Sequence, residues 1–148
     1  MSFVRLGIIE EILPLRSAVL RRGLAPELCI NPGDDTPGNF HVVLESEGVI
    51  AGAGTFIQEN LPDYSGLGYR LRGMGVYPEF QGSGYGRKIL RFGMQECLNR
   101  HATYLWFNAR KVAYGFYTGM GFEIISEEFE IEGIGPHKVM IMNPLKMN

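Results

Sequence analysis

Sixteen residues in the middle of the chain restrict its fold most. Gly73-Met74-Gly75-Val76-Tyr77-Pro78-Glu79-Phe80 carries an apolar strand into a proline turn. Gln81-Gly82-Ser83-Gly84-Tyr85-Gly86-Arg87-Lys88 continues with glycines at alternate positions and the start of a helix. A strand, a glycine turn and a helix in that order leave a run of backbone N–H groups unbonded at the helix N-terminus, where the helix dipole also favours negative charge. The segment therefore predicts an anion site, and a phosphate-bearing ligand for it.

Three phosphate loops can be compared with it. A Walker A loop requires Ser or Thr after Gly-Lys to hold magnesium, but Gly86 is followed by Arg87, Lys88 and Ile89, so that loop is excluded. A Gly-x-Gly-x-x-Gly dinucleotide fingerprint would place its last glycine at Arg87 or Ile89, and it fails too. The remaining pattern is Gln81-x-x-Gly84-x-Gly86 after Val76-Tyr77-Pro78-Glu79. It resembles the acetyl-CoA loop of the GNAT superfamily of N-acetyltransferases.

A second motif narrows the reading. Trp106-Phe107-Asn108-Ala109-Arg110 reads as a strand end and a helix start, followed by Ala113-x-x-x-Tyr117-x-x-x-Gly121-Phe122. Ala113 and Tyr117, four apart, share one helix face. Gly121 suits a left-handed helix end, and Phe122 suits the apolar residue that folds back over it. Val112, Phe116 and Met120 recur at helical spacing, so a plain core role for Tyr117 is the competing reading. The same Ala-Tyr-Gly-Phe spacing stands at this distance from the glycine loop in GNAT proteins, and the resemblance covers about residues 40–142. One position departs from it: many members carry Asn three residues before that Ala, where this chain has Arg110. A narrower likeness, to a little-characterised bacterial subgroup, rests on Phe129 to His137, on Leu71-Arg72-Gly73-Met74, and on Leu15-Arg16 with Val19-Leu20-Arg21.

The resemblance implies an α+β fold, a single mixed β-sheet flanked by helices, with the strands at 69–77 and 104–107 splayed at their C-terminal ends. The pantetheine arm of acetyl-CoA, the acyl-donor cosubstrate, would pair with the backbone of Met74, Gly75 and Val76. Gln81, Gly82, Ser83, Gly84, Tyr85, Gly86 and Arg87 would hold the pyrophosphate. Tyr117 would be the general acid for the CoA thiolate; a phenol is protonated at neutral pH and can donate to sulfur. Asn108 would bond a pantetheine amide or, equally, cap the following helix. The general base has two candidates: Glu59, at the end of a strand, and His137, whose residue type titrates near neutral pH. Arg70 and Arg72, two apart on one strand, would bind an acidic substrate group or pair with Glu side chains. His41 and His101 read as structural.

The remaining composition bounds these expectations. The chain has 148 residues, 45% of them hydrophobic, enough for one domain over 1–148 with a sizeable core. A net charge of −2 offers no basic surface for nucleic acid. No apolar run is long enough for a membrane span, and no secretory leader is recognisable, so a cytoplasmic protein is expected. Two cysteines and three scattered histidines have no metal-ligand spacing, and no metal is expected. Cys97 falls on an apolar helix face; Cys29 falls in the Pro- and Gly-rich loop 23–39 and has no assigned role.

Helices are expected over Glu10 to Arg22, with Pro14 in the first turn, Ser83 to about His101, and Arg110 to Met120. Strands are expected over residues 3–7, 41–44, 49–57, 69–77, 104–107, 123–131 and 137–142. Loops 23–39 and 60–68 would border the acceptor site with Asp34, Asp35, Glu59, Asp63, Tyr64 and Glu132, an acidic rim suited to a cationic amine. The expected activity is acetyl transfer to a small-molecule or peptide amine. A catalytically idle acetyl-CoA-binding module is the alternative, and a homodimer is compatible with either.

Overall fold

The computed structural model describes residues 1–147. Eight strands form one sheet: β1 (Ser2–Gly7), β2 (Phe40–Ser46), β3 (Val49–Gln58), β4 (Gly68–Val76), β5 (Tyr104–Arg110), β6 (Glu123–Ile124), β7 (Phe129–Ile131) and β8 (Gly135–Met142). Their order is β1-β2-β3-β4-β5-β8-β6, with β7 also paired to β8. All neighbours are antiparallel except β4 and β5. That parallel step requires a crossover, which is the helix α2 (Tyr85–Asn99).

Strand alternation divides the core between the two faces of the sheet. On one face Val42, Leu44, Phe56, Tyr69, Leu71, Leu105 and Phe107 pack against Ile89, Leu90, Met94 and Cys97 of α2. Burial pushes the Cys97 thiol up, as suits the small core hydrophobe its spacing predicts. On the other face α1 (Ile9–Leu15) sets Ile9, Ile12 and Leu15 against Val43 and Ala53. Glu11 steadies the start of α1: its carboxylate accepts the Ile8 N–H at 3.0 Å and pairs with Arg5. A third cluster on that second face gathers Tyr104, Trp106 and Ile141.

The first helix departs from expectation. It begins at Ile9, so Pro14 lies in its second turn, and from Arg16 to Leu20 the chain runs as a π-helical turn closed by Arg21 N–H to Arg16 O at 2.8 Å. Proline has no N–H to give the preceding turn, and the register widens just after it. The predicted strand 123–131 is two short strands, because Ser126 interrupts it to accept the Val139 N–H at 2.8 Å. The predicted helix Arg110–Met120 begins later: β5 continues to Arg110, a 3₁₀ turn covers Lys111–Ala113, and α3 spans only Tyr114–Gly119.

The loop 23–39 is anchored from below. Arg16, 4% exposed, makes a two-pronged pair with Asp34 at 2.8 Å and also donates to Cys29 O and Thr55 Oγ1. The Asn31 N–H donates to Asp34 as well. His41 completes the network. Its Nε2–H donates to the Asp34 carbonyl, so its Nδ1 accepts from the Thr55 hydroxyl at 2.8 Å. Burial opposes ionisation of Asp34, yet its bonds from Arg16 and the Asn31 amide hold its carboxyl below the ordinary range. His41 and Cys29 are thus structural groups of this anchor.

Candidate active site

The site begins where β4 and β5 part. They pair only over Gly68↔Tyr104, Tyr69↔Leu105 and Arg70↔Trp106. Past Arg70, β4 carries a bulge: Gly54 and Phe56 of β3 face Met74 and Leu71, so β4 fits one residue more than its partner into that step. Gly73, at φ +84°, takes the left-handed conformation there. Gly75 lies under Val19, Leu20 and Leu15, where an added Cβ would stand 3.0 Å from Val19 Cγ1. The bulge turns β4 from β5, and the edge of Met74–Val76 faces a cleft instead of a strand.

This cleft, about 760 Å³, passes between the strands from one sheet face to the other. Met74, Gly75, Val76, Gln81 and Gly86 form one wall, and Phe107, Asn108, Arg110, Phe116 and Tyr117 the other. Val19, Leu20, Ile134 and His137 close it on the α1 face.

The glycine loop stands at one end. Gly82 (φ +86°) and Gly84 (φ +78°) are left-handed, and a Cβ on either would meet only open space. The first helical bond of α2 runs from Lys88 N–H to Gly84 O at 3.1 Å. Helix geometry therefore leaves the N–H groups of Gly84, Tyr85, Gly86 and Arg87 without an intrahelical acceptor. Gln81 is tied back to the end of β4 by its Nε2 donating to Val76 O at 3.0 Å. Ser83 and Arg87 are exposed at the loop. The Tyr85 side chain points elsewhere, its hydroxyl 2.9 Å from Ser46 Oγ, and Lys88 lies over the Tyr85 ring. These two side chains anchor the helix to β1 and β2; what Tyr85 can offer an anion is its N–H.

Tyr117 lies deep in the cleft wall, with its ring 4.3 Å from that of Phe107 and also against Phe116 and Phe122. Burial pushes its phenol up to about 12, with the Arg110 charge acting the other way. The ring packs as a core aromatic while the residue still lines the cleft, so the two readings of Tyr117 describe one residue.

Asn108 lies within β5, opposite Val139, and lines the cleft; it caps nothing, because the turn after β5 begins beyond Arg110. The cap reading is corrected by the longer strand. His137 also lines the cleft, opposite Arg110 in the β5–β8 register, and is 4% exposed. Its Nδ1–H donates to Gly135 O at 2.8 Å, which leaves the Nε2 lone pair as its acceptor.

Glu59 is elsewhere. β3 runs antiparallel to β4, so the residue after β3 sits beside Gly68, at the end of the sheet where β4 and β5 are still paired. Its carboxylate pairs with Arg70 at 3.3 Å, and its carbonyl accepts the Trp106 indole N–H at 2.8 Å. The expectation of Glu59 as general base is corrected on this geometry. The acidic rim is corrected with it: Asp34 is consumed by Arg16, and none of Asp35, Asp63, Tyr64 and Glu132 lines the cleft. Sequence reasoning missed Val19, Leu20 and Ile134 as cleft residues; their only signal was the Leu15–Arg21 and Phe129–His137 segments of the narrower likeness.

A family model of the acetyltransferase (GNAT) domain matches residues 31–142. The chain belongs to the GNAT acetyltransferase family. This acyltransferase is 27% identical over 133 residues to YitI, an uncharacterised N-acetyltransferase of Bacillus subtilis, covering 89% of each chain. Among solved structures it is similar to the ribosomal-protein-S18-alanine N-acetyltransferase of Escherichia coli (18% identity, TM-score 0.73, 100% and 96% of the two chains). It is similar also to an aminoglycoside 6'-N-acetyltransferase complexed with coenzyme A (11% identity, TM-score 0.75, 99% of each chain). At those identities the likeness is one of fold, and the expected mixed sheet with helices on its faces is the GNAT fold. Among the described residues no helix of the acetyltransferase is long and apolar enough to cross a membrane, and no three His, Cys, Asp or Glu side chains gather as a metal site.

Proposed function

We propose that this GNAT protein is an acetyl-CoA-dependent N-acetyltransferase acting on a primary amine of a small molecule or peptide. One observation carries the reading: a single cleft joins a helix N-terminus with unbonded N–H groups, an unpaired strand edge, a buried phenol and an imidazole whose Nδ1–H is already bonded. The residues fit the donor. The N–H groups from Gly84 to Arg87 suit a pyrophosphate. The open edge of Met74–Val76 suits the amides of a pantetheine arm by strand addition, and Asn108 faces it from β5. Acetyl-CoA supplies a thioester carbon open to attack.

The chain's own groups then move the protons. His137 Nε2 accepts a proton as the amine nitrogen forms its bond to the acyl carbon. A backbone N–H near Val76 stabilises the developing oxyanion. Tyr117 donates to sulfur as the carbon–sulfur bond breaks, and free thiol leaves. The proton taken at His137 and the proton given by Tyr117 balance through solvent. Burial keeps the phenol protonated at neutral pH, so the proton is in place to be given.

Calorimetric titration with acetyl-CoA, followed by thiol release against a panel of amines, tests the reading. Binding with turnover is expected. Binding with no turnover of any amine would favour a non-catalytic acetyl-CoA module, and absence of binding would overturn the assignment of the loop.

A further inference from the structure

The anchor beneath the loop 23–39 contains an imidazole that the proposed reaction does not use. His41, 5% exposed, stands between Gly7 of β1 and Thr55 of β3 in the sheet register. The hydrogen bonds around it are those of a neutral ring. The Asp34 carbonyl can only accept, so Nε2 carries a hydrogen. The Thr55 hydroxyl accepts from Arg16 Nη2 at 3.0 Å and gives its one hydrogen to Nδ1. That hydroxyl has no other hydrogen-bond partner among the described residues. A proton on Nδ1 would turn it into a second donor at Thr55 and leave the hydroxyl hydrogen without an acceptor.

The charges agree with the hydrogen count. Arg16 and Asp34 cancel, and Arg16 already takes both carboxylate oxygens of Asp34, with the Asn31 N–H on one of them. The other charged groups around His41 are committed or in water. Glu11 of α1 is held by Arg5 and the Ile8 N–H, Arg100 of the α2 end by Glu96 and Gly38 O, while Glu10 and Asp35 are exposed. A protonated His41 would therefore be an uncompensated cation buried beside Arg16. A cavity of about 340 Å³ reaches the ring, lined by Leu6, Ile9, Phe40 and Arg100 and bordered by Glu10 and Asp35. It gives solvent protons a route to His41, and it gives a protonated ring water and two carboxylates to turn toward.

An imidazole ordinarily changes charge between about pH 5 and 8. We propose that His41 is a pH-sensitive latch: neutral, it closes the anchor; protonated, it leaves Thr55 and the Asp34 carbonyl for the cavity and frees the π-helical turn that carries Val19 and Leu20 over the cleft. Arg16 transmits the release, because it begins that turn and ties Cys29 O, Asp34 and Thr55 together. The glycine loop stands near Ser46, at the other end of β2, and keeps its geometry. Resting on the acetyltransferase reading, acidification loosens the acceptor wall and leaves acetyl-CoA binding intact.

Amide hydrogen exchange of the whole protein tests the latch without an acceptor. The reporters are the Arg21 N–H, bonded to Arg16 O, and the Gly23 N–H, bonded to Ser17 O. Their protection, corrected for the intrinsic pH dependence of exchange, is expected to fall about tenfold or more between about pH 7.5 and 5.5. The midpoint should coincide with that of the His41 ring followed by NMR. Protection of Met94 and Cys97 in α2, and the acetyl-CoA Kd, should stay within about threefold. His41→Gln keeps a donor and an acceptor without a titrating ring, and it should hold the fall below about threefold; His101→Gln and His137→Gln should retain it. Should His41→Gln fail to fold, agreement or disagreement of the ring and amide midpoints in wild type decides. Reporter protection that stays constant through the His41 titration would overturn the latch. So would a fall of equal size in His41→Gln, or a neutral ring with its hydrogen on Nδ1. The exchange needs no acetyl-CoA, so a protein that does not bind acetyl-CoA would overturn the acetyltransferase reading and not the latch.

Discussion

At the scale of single residues, environment assigns roles that residue type leaves open. Tyr117 is both packed and placed in the cleft, and the packing raises its phenol to about 12. Tyr117→Phe keeps the ring contacts with Phe107 and Phe122 and removes only the donor. It is expected to lower kcat about 10²-fold or more with little change in acetyl-CoA affinity, read by steady-state kinetics beside calorimetry. The raised value also links to stability. The folded state keeps its proton where the unfolded chain, near the ordinary value of 10, loses it. This contribution is complete below about pH 10 and is lost as pH rises toward 12. Alkaline melts of wild type should fall more steeply over that window than those of Tyr117→Phe. His137→Gln should lower kcat with little change in acetyl-CoA affinity, whereas Glu59→Gln should leave kcat within a few-fold of wild type. A Glu59 variant that lost turnover with acetyl-CoA affinity and melting temperature intact would return the base to β3.

At the scale of elements, the β4 bulge and the α2 crossover make the site. Gly93 shows how closely α2 is seated: a Cβ there would lie 2.0 Å from Phe56 Cζ. Gly→Ala inside a helix ordinarily stabilises by about 1 kcal/mol. Here the ring must move, and Gly93→Ala is expected to destabilise by about 1–3 kcal/mol, measured by urea unfolding. Gly73→Val addresses the bulge directly, because a β-branched residue at φ +84° is strained. Loss of acetyl-CoA binding out of proportion to the fall in melting temperature would show that the bulge matters for the cleft more than for stability.

Much of this was legible along the chain. The glycine loop, the strand before it and Tyr117 were visible because their spacing is local, within one strand–turn–helix or one helix turn. Glu59 was misread because its distance from the cleft depends on which end of β3 meets the splay, a matter of strand direction and not of spacing. Asn108 was balanced between cap and cleft because the end of β5 is set by pairing to β8, across thirty or so residues of chain, where local propensity has no voice.

At the scale of the whole molecule, a buried ionic network joins the N-terminal helix, the long loop and the middle of the sheet. Removing one partner leaves the other charged and unpaired, so Asp34→Ala should cost about 3–5 kcal/mol, and Arg16→Met/Asp34→Ala together less than the sum of the two. Denaturant melts of the four proteins form the cycle. The depressed Asp34 carboxyl contributes stability above the ordinary carboxylate range, lost as pH falls through its folded value. The melting temperature of wild type should therefore drop more steeply below about pH 4 than that of Asp34→Asn. Because Arg16 begins the π-helical turn that carries Val19 and Leu20 over the cleft, loosening the network should also raise KM for the acceptor before it alters acetyl-CoA affinity.

The sequence by itself determined the family, the glycine loop before α2, the alternation that divides the core between two faces, and the phenol at the cleft wall. All of these are periodic or contiguous features that the backbone enforces within a few residues. Only the tertiary structure decided which end of the sheet opens, which of Glu59 and His137 faces it, and that among the described residues Arg70 is paired while Arg72 is not. Those answers depend on strand direction, on a one-residue bulge and on partners far apart in the chain, and they exist only once the sheet has closed around them.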